Sequence, residues 1–177
     1  MQRMTQQGDY FLWLTPTESV LRQLQALIDS LAHEHGGPSF EPHVTLLSRL
    51  QGNAPDIEAA IARLAAGFAP FTLRCPTLDW SDEFYRCLHL NVEKDPCLIS
   101  LYDRARTEIP HAASKDFAPH VSLIYGHLAE PTKRMIAAAL QDNYPKSIPV
   151  DRLSLCHAPG GPETWQLVRT FYFTGSR

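Results

Sequence analysis

Apolar residues along the chain switch between two spacings, and the switches mark the elements. Residues 10–15, Tyr-Phe-Leu-Trp-Leu-Thr, read as a strand that Pro16 stops. Val20, Leu21, Leu24, Leu27, Ile28 and Leu31 then recur at helical spacing. Thr17 or Ser19 stands where a helix cap is expected, and Gly36-Gly37-Pro38 closes the helix. The pattern next predicts a strand at 42–48, a helix at 55–66, and strands over Phe71–Trp80 and Phe84–Val92. A third helix spans Asp95 to Glu108, with Leu98, Leu101, Tyr102 and Ala105 on one face. A strand at 119–125, a helix from Pro131 to Leu140, and strands over Ile148–His157 and Thr164–Phe173 complete the order.

That order, helix-strand-helix-strand-strand, occurs twice. Phe40-Glu-Pro-His43-Val-Thr45-Leu-Leu aligns with Phe117-Ala-Pro-His120-Val-Ser122-Leu-Ile at an offset of 77 residues, with five of eight positions identical. The same offset sets Phe71–Ser81 against Ile148–Ala158, and Tyr85–Glu93 against Pro162–Thr170. Such self-similarity marks one structural unit used twice. The expectation is an α+β protein of two pseudo-symmetric lobes, each an antiparallel sheet with outer helices, enclosing a central groove. The chain then forms a single bilobal domain over 1–177, with repeats at about 17–93 and 94–173.

Composition narrows the function classes. The 177 residues carry 16 basic and 19 acidic side chains, a net charge of −3, which disfavours binding to long nucleic acid. No apolar run is long enough to span a membrane, and Met1–Asp9 lacks the apolar stretch of an export signal. Cys75, Cys87, Cys97 and Cys156 include no C-x-x-C pair and read as reduced thiols of a cytoplasmic protein.

The candidate chemistry sits in the repeated P-H-V-[T/S]-L. Pro42 and Pro119 hold the preceding residue extended, so each histidine enters in strand conformation. Alternation then puts His43 with Thr45, and His120 with Ser122, on one face. Val44, Leu46, Val121 and Leu123 face the helices. Two imidazoles supply a general base and a general acid near neutral pH. Two hydroxyls steady the non-bridging oxygens of a phosphate. The motif contains no carboxylate and no further ligand at metal-binding spacing. The set suits in-line attack on a phosphodiester by water or an internal hydroxyl.

These two motifs resemble the signatures of the two-histidine (2H) phosphoesterase superfamily. The flanking Phe and Pro, with Tyr125-Gly126 after the second motif, resemble its cyclic phosphodiesterase-like branch. The resemblance extends over nearly the whole chain. It implies motifs on the central strands of two lobes. The implied reactions open ADP-ribose 1″,2″-cyclic phosphate to ADP-ribose 1″-phosphate, and nucleoside 2′,3′-cyclic phosphates to 2′-phosphates. The first of these substrates arises from transfer-RNA splicing. The resemblance makes His43 and His120 the acid/base pair, with His120 favoured as base and His43 as acid. Thr45 and Ser122 become the phosphate holders. No metal or cofactor is implied, and the partners are small cyclic nucleotide phosphates bound by a monomer.

An aromatic platform for the substrate base falls to Trp13, on the strand that borders the groove in similar proteins, or to Tyr125. Parity puts Tyr125 on the Val121 face unless the strand ends at Ile124. Trp165 reads as a core aromatic. His33 and His35, at a helix end, suit the dipole rather than a metal. His89, His111, His127 and His157 have no motif support, although the loop from Ala158 to Pro162 could rim the groove. Gly160-Gly161 lacks the context of a dinucleotide loop. Arg49, Lys133 and Arg134 read as solvated charges, while Lys115 could approach a substrate phosphate. Two other readings remain: an RNA-end 2′,3′-cyclic phosphodiesterase or 2′-5′ ligase-like enzyme, and a non-catalytic nucleotide-binding module.

Overall fold

A computed structural model describes residues 9–111 and 116–176. Its elements follow the predicted order: β1 (Tyr10–Pro16), α1 (Glu18–His35), β2 (Val44–Leu47), α2 (Ala54–Ala66), β3 (Phe71–Arg74), β4 (Thr77–Trp80), β5 (Leu88–Asn91), α3 (Pro96–Glu108), β6 (His120–Ile124), α4 (Glu130–Leu140), β7 (Ser147–His157) and β8 (Gln166–Tyr172). One-turn 3-10 helices at Phe84–Arg86 and Pro162–Thr164 precede β5 and β8, so both of those strands start later than the apolar pattern suggests.

Local chemistry sets the helix ends. Asn53 caps α2 by accepting the Asp56 N–H at 3.0 Å, and Asp95 caps α3 by accepting the Leu98 N–H at 2.9 Å. Each cap is followed by a proline in the first turn, which α4 also has in Pro131. Thr17 occupies the cap position of α1, but its side chain makes no capping bond. Gly36 ends α1 at φ +69°, and its N–H returns to the Ala32 carbonyl.

The run Phe71–Trp80 is two strands in two sheets. Pro76 cannot donate to a ladder, so β3 and β4 part around it, whereas the equivalent stretch in β7 runs unbroken for 11 residues. One sheet has the order β2-β1-β7-β3, with β8 also paired to β7. The other has the order β4-β5-β6. The sheets therefore do not divide the chain into halves. The β4–β5 hairpin of the first half pairs with β6 of the second, and β7–β8 of the second half pairs with β1–β2. Both motif strands, β2 and β6, lie at the edge of their own sheet and meet each other at the middle of the molecule. The resemblance implied central strands; the edges are what allow two sheets to present their motifs to one groove.

Helices cross over in the same way. α1 packs on β6, and α3 packs on β2. Val44, Leu46, Val121 and Leu123 are buried on these faces. From α1, Leu24, Ile28 and Leu31 are buried in the core, each contributing roughly 1.5–3 kcal/mol by leaving water. Lys133 corrects the reading of a solvated charge: it is 2 % exposed, and its ammonium donates to the Ser81 carbonyl at 2.8 Å and to Asp82 at 2.7 Å. Arg49 and Arg134 are exposed. Lys115 lies outside the described residues. Cys75, Cys87, Cys97 and Cys156 are free thiols.

Candidate active site

A groove of about 340 Å³ opens where the two sheets meet, and Trp13, His43, Thr45, His120, Ser122 and Tyr125 all line it. Six side chains singled out from sequence thus converge on one cavity. Phe11, Ser48, Glu83, Tyr85, Arg86 and Trp165 also line it, with Ala158 and Gly160 of the predicted rim loop.

The X-Pro-His sequence fixes each histidine before any tertiary contact forms. The proline turns the backbone so that the carbonyl of the residue before it meets the imidazole. His43 Nδ1 lies 2.6 Å from the Glu41 carbonyl and His120 Nδ1 lies 2.8 Å from the Ala118 carbonyl. A third X-Pro-His, Ile109-Pro110-His111, makes the same contact at 2.9 Å outside the groove, so the geometry is local in origin. A carbonyl only accepts, hence Nδ1 carries the proton and Nε2 is left with a lone pair.

Burial distinguishes the two rings. His43 is 8 % exposed, and Trp13 stacks on it with centroids 3.8 Å apart at 11°. Burial holds the His43 pKa down at about 4, and the nearby His120 pushes the same way. His120 is only partly buried, and burial lowers its pKa too. The Trp13 face therefore serves the catalytic-candidate imidazole. Trp165, expected in the core, stands half-buried at the groove, 5.4 Å from Trp13 and 6.2 Å from Tyr85 between ring centroids.

Tyr125 reaches the groove because β6 ends at Ile124, which releases it from strand parity. Its ring stacks on Phe40 at 3.6 Å, its hydroxyl interacts with the Ser122 side chain, and burial pushes its pKa well above the usual phenol value. Ser122 Oγ donates to the Tyr85 carbonyl at 2.7 Å, so the serine points its proton at the backbone. His89 belongs to neither motif, yet it stands beside the site. It is 1 % exposed, sits opposite Ser122 in the ladder, and meets His120 edge-on at 5.4 Å. His157 packs against Tyr10 at 4.8 Å instead of lining the groove. Among the described residues no group of three or more His, Cys, Asp or Glu is placed to hold a metal ion.

The model of the family described as cyclic phosphodiesterase-like protein matches residues 9–148. The chain belongs to this family. Its similarity reaches 24 % identity over 166 residues with a cyclic phosphodiesterase of Arabidopsis thaliana, covering 90 % of this chain and 92 % of that one. A 2′,3′-cyclic-nucleotide 3′-phosphodiesterase of Yarrowia lipolytica is 24 % identical over 176 residues, covering 75 % and 82 %. Among solved structures, TT0787 of Thermus thermophilus superposes with TM-score 0.65 at 20 % identity, over 95 % of this chain and 99 % of that one. E. coli LigT complexed with 3′-AMP gives 0.60 at 16 %, over 94 % and 98 %. The fold is that of the 2H phosphoesterases. Family membership makes the chain a phosphodiesterase, of the kind that hydrolyses cyclic phosphates. No helix among the described residues is long and apolar enough to cross a membrane.

Proposed function

We propose that this chain hydrolyses small cyclic nucleotide phosphates without a metal, taking nucleoside 2′,3′-cyclic phosphates to 2′-phosphates and ADP-ribose 1″,2″-cyclic phosphate to ADP-ribose 1″-phosphate. It would act as a cytoplasmic monomer on the products of RNA processing. One observation carries the reading: two histidines from separate sheets line one groove, each with Nδ1 tied to a carbonyl, each accompanied by a hydroxyl two residues on.

The deeper burial of His43 orders the pair. A single proton shared between the two imidazoles rests on His120, the more exposed ring, and leaves His43 as the neutral base. This ordering is the reverse of the one implied by the resemblance. In a 2′,3′-cyclic phosphate, His43 Nε2 takes a proton from water as its oxygen bonds to phosphorus. The phosphorus–O3′ bond breaks, and His120 delivers its proton to O3′. One water is added, and the proton on His43 returns to His120 through solvent. Thr45 and Ser122 hold the equatorial oxygens, Ser122 turning its proton from the Tyr85 carbonyl to the phosphate. Tyr125 stays protonated and orients Ser122.

His43→Ala and His120→Ala test the reading. Removing either half of an acid–base pair is expected to lower kcat by at least about 10²–10⁴-fold, with circular dichroism unchanged. Near-native turnover in both variants would overturn it.

A further inference from the structure

Arg86 closes the 3-10 turn Phe84–Arg86 and lines the groove, yet neither repeat motif includes it. Its surroundings are unusual for an arginine. Among the described residues no carboxylate lies within ion-pair distance of it. Its Nε is buried without a hydrogen-bond partner. Among the described residues its one side-chain hydrogen-bond partner is a histidine: NH2 lies 3.3 Å from His89 Nε2.

His89 explains how the cation is kept. His89 Nδ1 lies 3.1 Å from the Arg86 carbonyl and donates to it, which leaves the Nε2 lone pair for the Arg86 NH2. The imidazole thus grips both ends of Arg86, backbone and guanidinium. Burial first, and the adjacent guanidinium second, hold His89 at a pKa of about 4, so it stays neutral and able to accept. Asp79, across the ladder, pushes weakly the other way.

Arg86 adjoins the polar pair of the second motif. Ser122 donates to the carbonyl of the preceding residue, Tyr85. His89, which holds the guanidinium, contacts His120. The Arg86 charge lowers the pKa of His120, and Glu83 at the groove opposes it. Thr45 and Ser122 are neutral donors, while in-line hydrolysis builds negative charge on the equatorial oxygens. A guanidinium meets that charge with paired N–H donors.

We infer that Arg86 is the cationic phosphate clamp of this groove, binding the non-bridging oxygens of the reacting phosphate, with His89 as its positioning residue. The inference rests on the reading of the groove as a cyclic phosphodiesterase site. It makes the two sides of a pseudo-symmetric groove chemically unequal, because the residue equivalent to Arg86 in the second repeat is Glu163.

The test uses adenosine 2′,3′-cyclic phosphate as substrate and 2′-AMP as a binding probe. Arg86→Gln is expected to lower kcat/KM about 10²–10³-fold, the usual loss for one transition-state donor, and to weaken 2′-AMP binding at least tenfold by calorimetry. Arg86→Lys, which keeps the charge but not the fork, should fall between, and it replaces the glutamine variant if that one misfolds. His89→Leu should approach the arginine variants, whereas His89→Gln, which keeps an acceptor, should recover most of the activity. The His120 resonance in Arg86→Gln should titrate at higher pH than in wild type, which reports that the guanidinium charge stands beside His120. Wild-type turnover with Arg86→Gln and Arg86→Lys within threefold, and with unchanged 2′-AMP affinity, would overturn the clamp and leave the function intact. A wild type that turns over no cyclic phosphate would overturn the function. The clamp then stands if 2′-AMP binding is lost in Arg86→Gln, and falls if 2′-AMP binds both proteins equally or neither.

Discussion

Acid should unfold this protein early, because two histidines are buried in their neutral form. Burial lowers the pKa of His43 and His89 from 6.5 to about 4. Between those values the unfolded chain binds protons that the folded chain refuses. Stability is therefore fully present above pH 6.5 and is lost as pH falls toward 4. Each histidine contributes a slope of roughly 1.4 kcal/mol per pH unit across that window. Taken to its acid end, the loss is about 3 kcal/mol for each, against a total stability of about 5–15 kcal/mol for a typical domain. His120, lowered in the same direction, adds to the slope. Glu41, whose pKa burial raises, opposes it in part. His89→Gln isolates the effect, since it removes one titrating group and keeps an acceptor for Arg86. Urea unfolding at pH 7, 6 and 5 is expected to show the variant losing roughly 2 kcal/mol less than wild type between pH 7 and pH 5, most of it below pH 6.5, while contributions shared by both proteins cancel. Equal slopes for the two proteins, or a wild-type stability that is flat from pH 7 to 5, would refute the reasoning.

Two further outcomes follow from the site. A cyclic substrate whose 3′-oxygen is replaced by sulfur has a leaving group that needs no proton, so it should restore much of the turnover lost in His120→Ala and little of that lost in His43→Ala; rescue of His43→Ala instead would reverse the acid and base. Gly37→Ala should lower both Tm and kcat/KM, by about 1–3 kcal/mol in stability, because the added Cβ would lie 2.8 Å from the Tyr125 carbonyl and displace the residue that orients Ser122; an unchanged Tm and rate would contradict that close packing.

Much of this site was legible because its information is local. Proline before histidine, two-residue alternation and an offset repeat depend only on neighbours in the chain. The X-Pro-His contact even sets which nitrogen carries the proton. The pairing of strands across the repeats was not legible, since nothing in β4–β5 or β7–β8 states which motif strand each hairpin joins. Pro76 was the one local sign, breaking a run that the apolar pattern joined. Trp165 and Arg86 were missed for a related reason: both sit in or beside short 3-10 turns, where periodicity gives no face. Lys133 was misread because its partner, Asp82, is a fully exposed carboxylate 51 residues away, and a lysine stem on the Ile136 face of α4 packs like an apolar side chain.

The central claim is that two histidines in this groove add water to a cyclic phosphate with no metal taking part. Phosphorus NMR of the purified protein with adenosine 2′,3′-cyclic phosphate, in ¹⁸O-enriched water and excess chelator, tests it directly. The account predicts a single product, the 2′-monoester, carrying one ¹⁸O on phosphorus, at a rate unchanged by chelator and abolished in His43→Ala and His120→Ala. Unchanged substrate, or turnover that chelator removes, would contradict it.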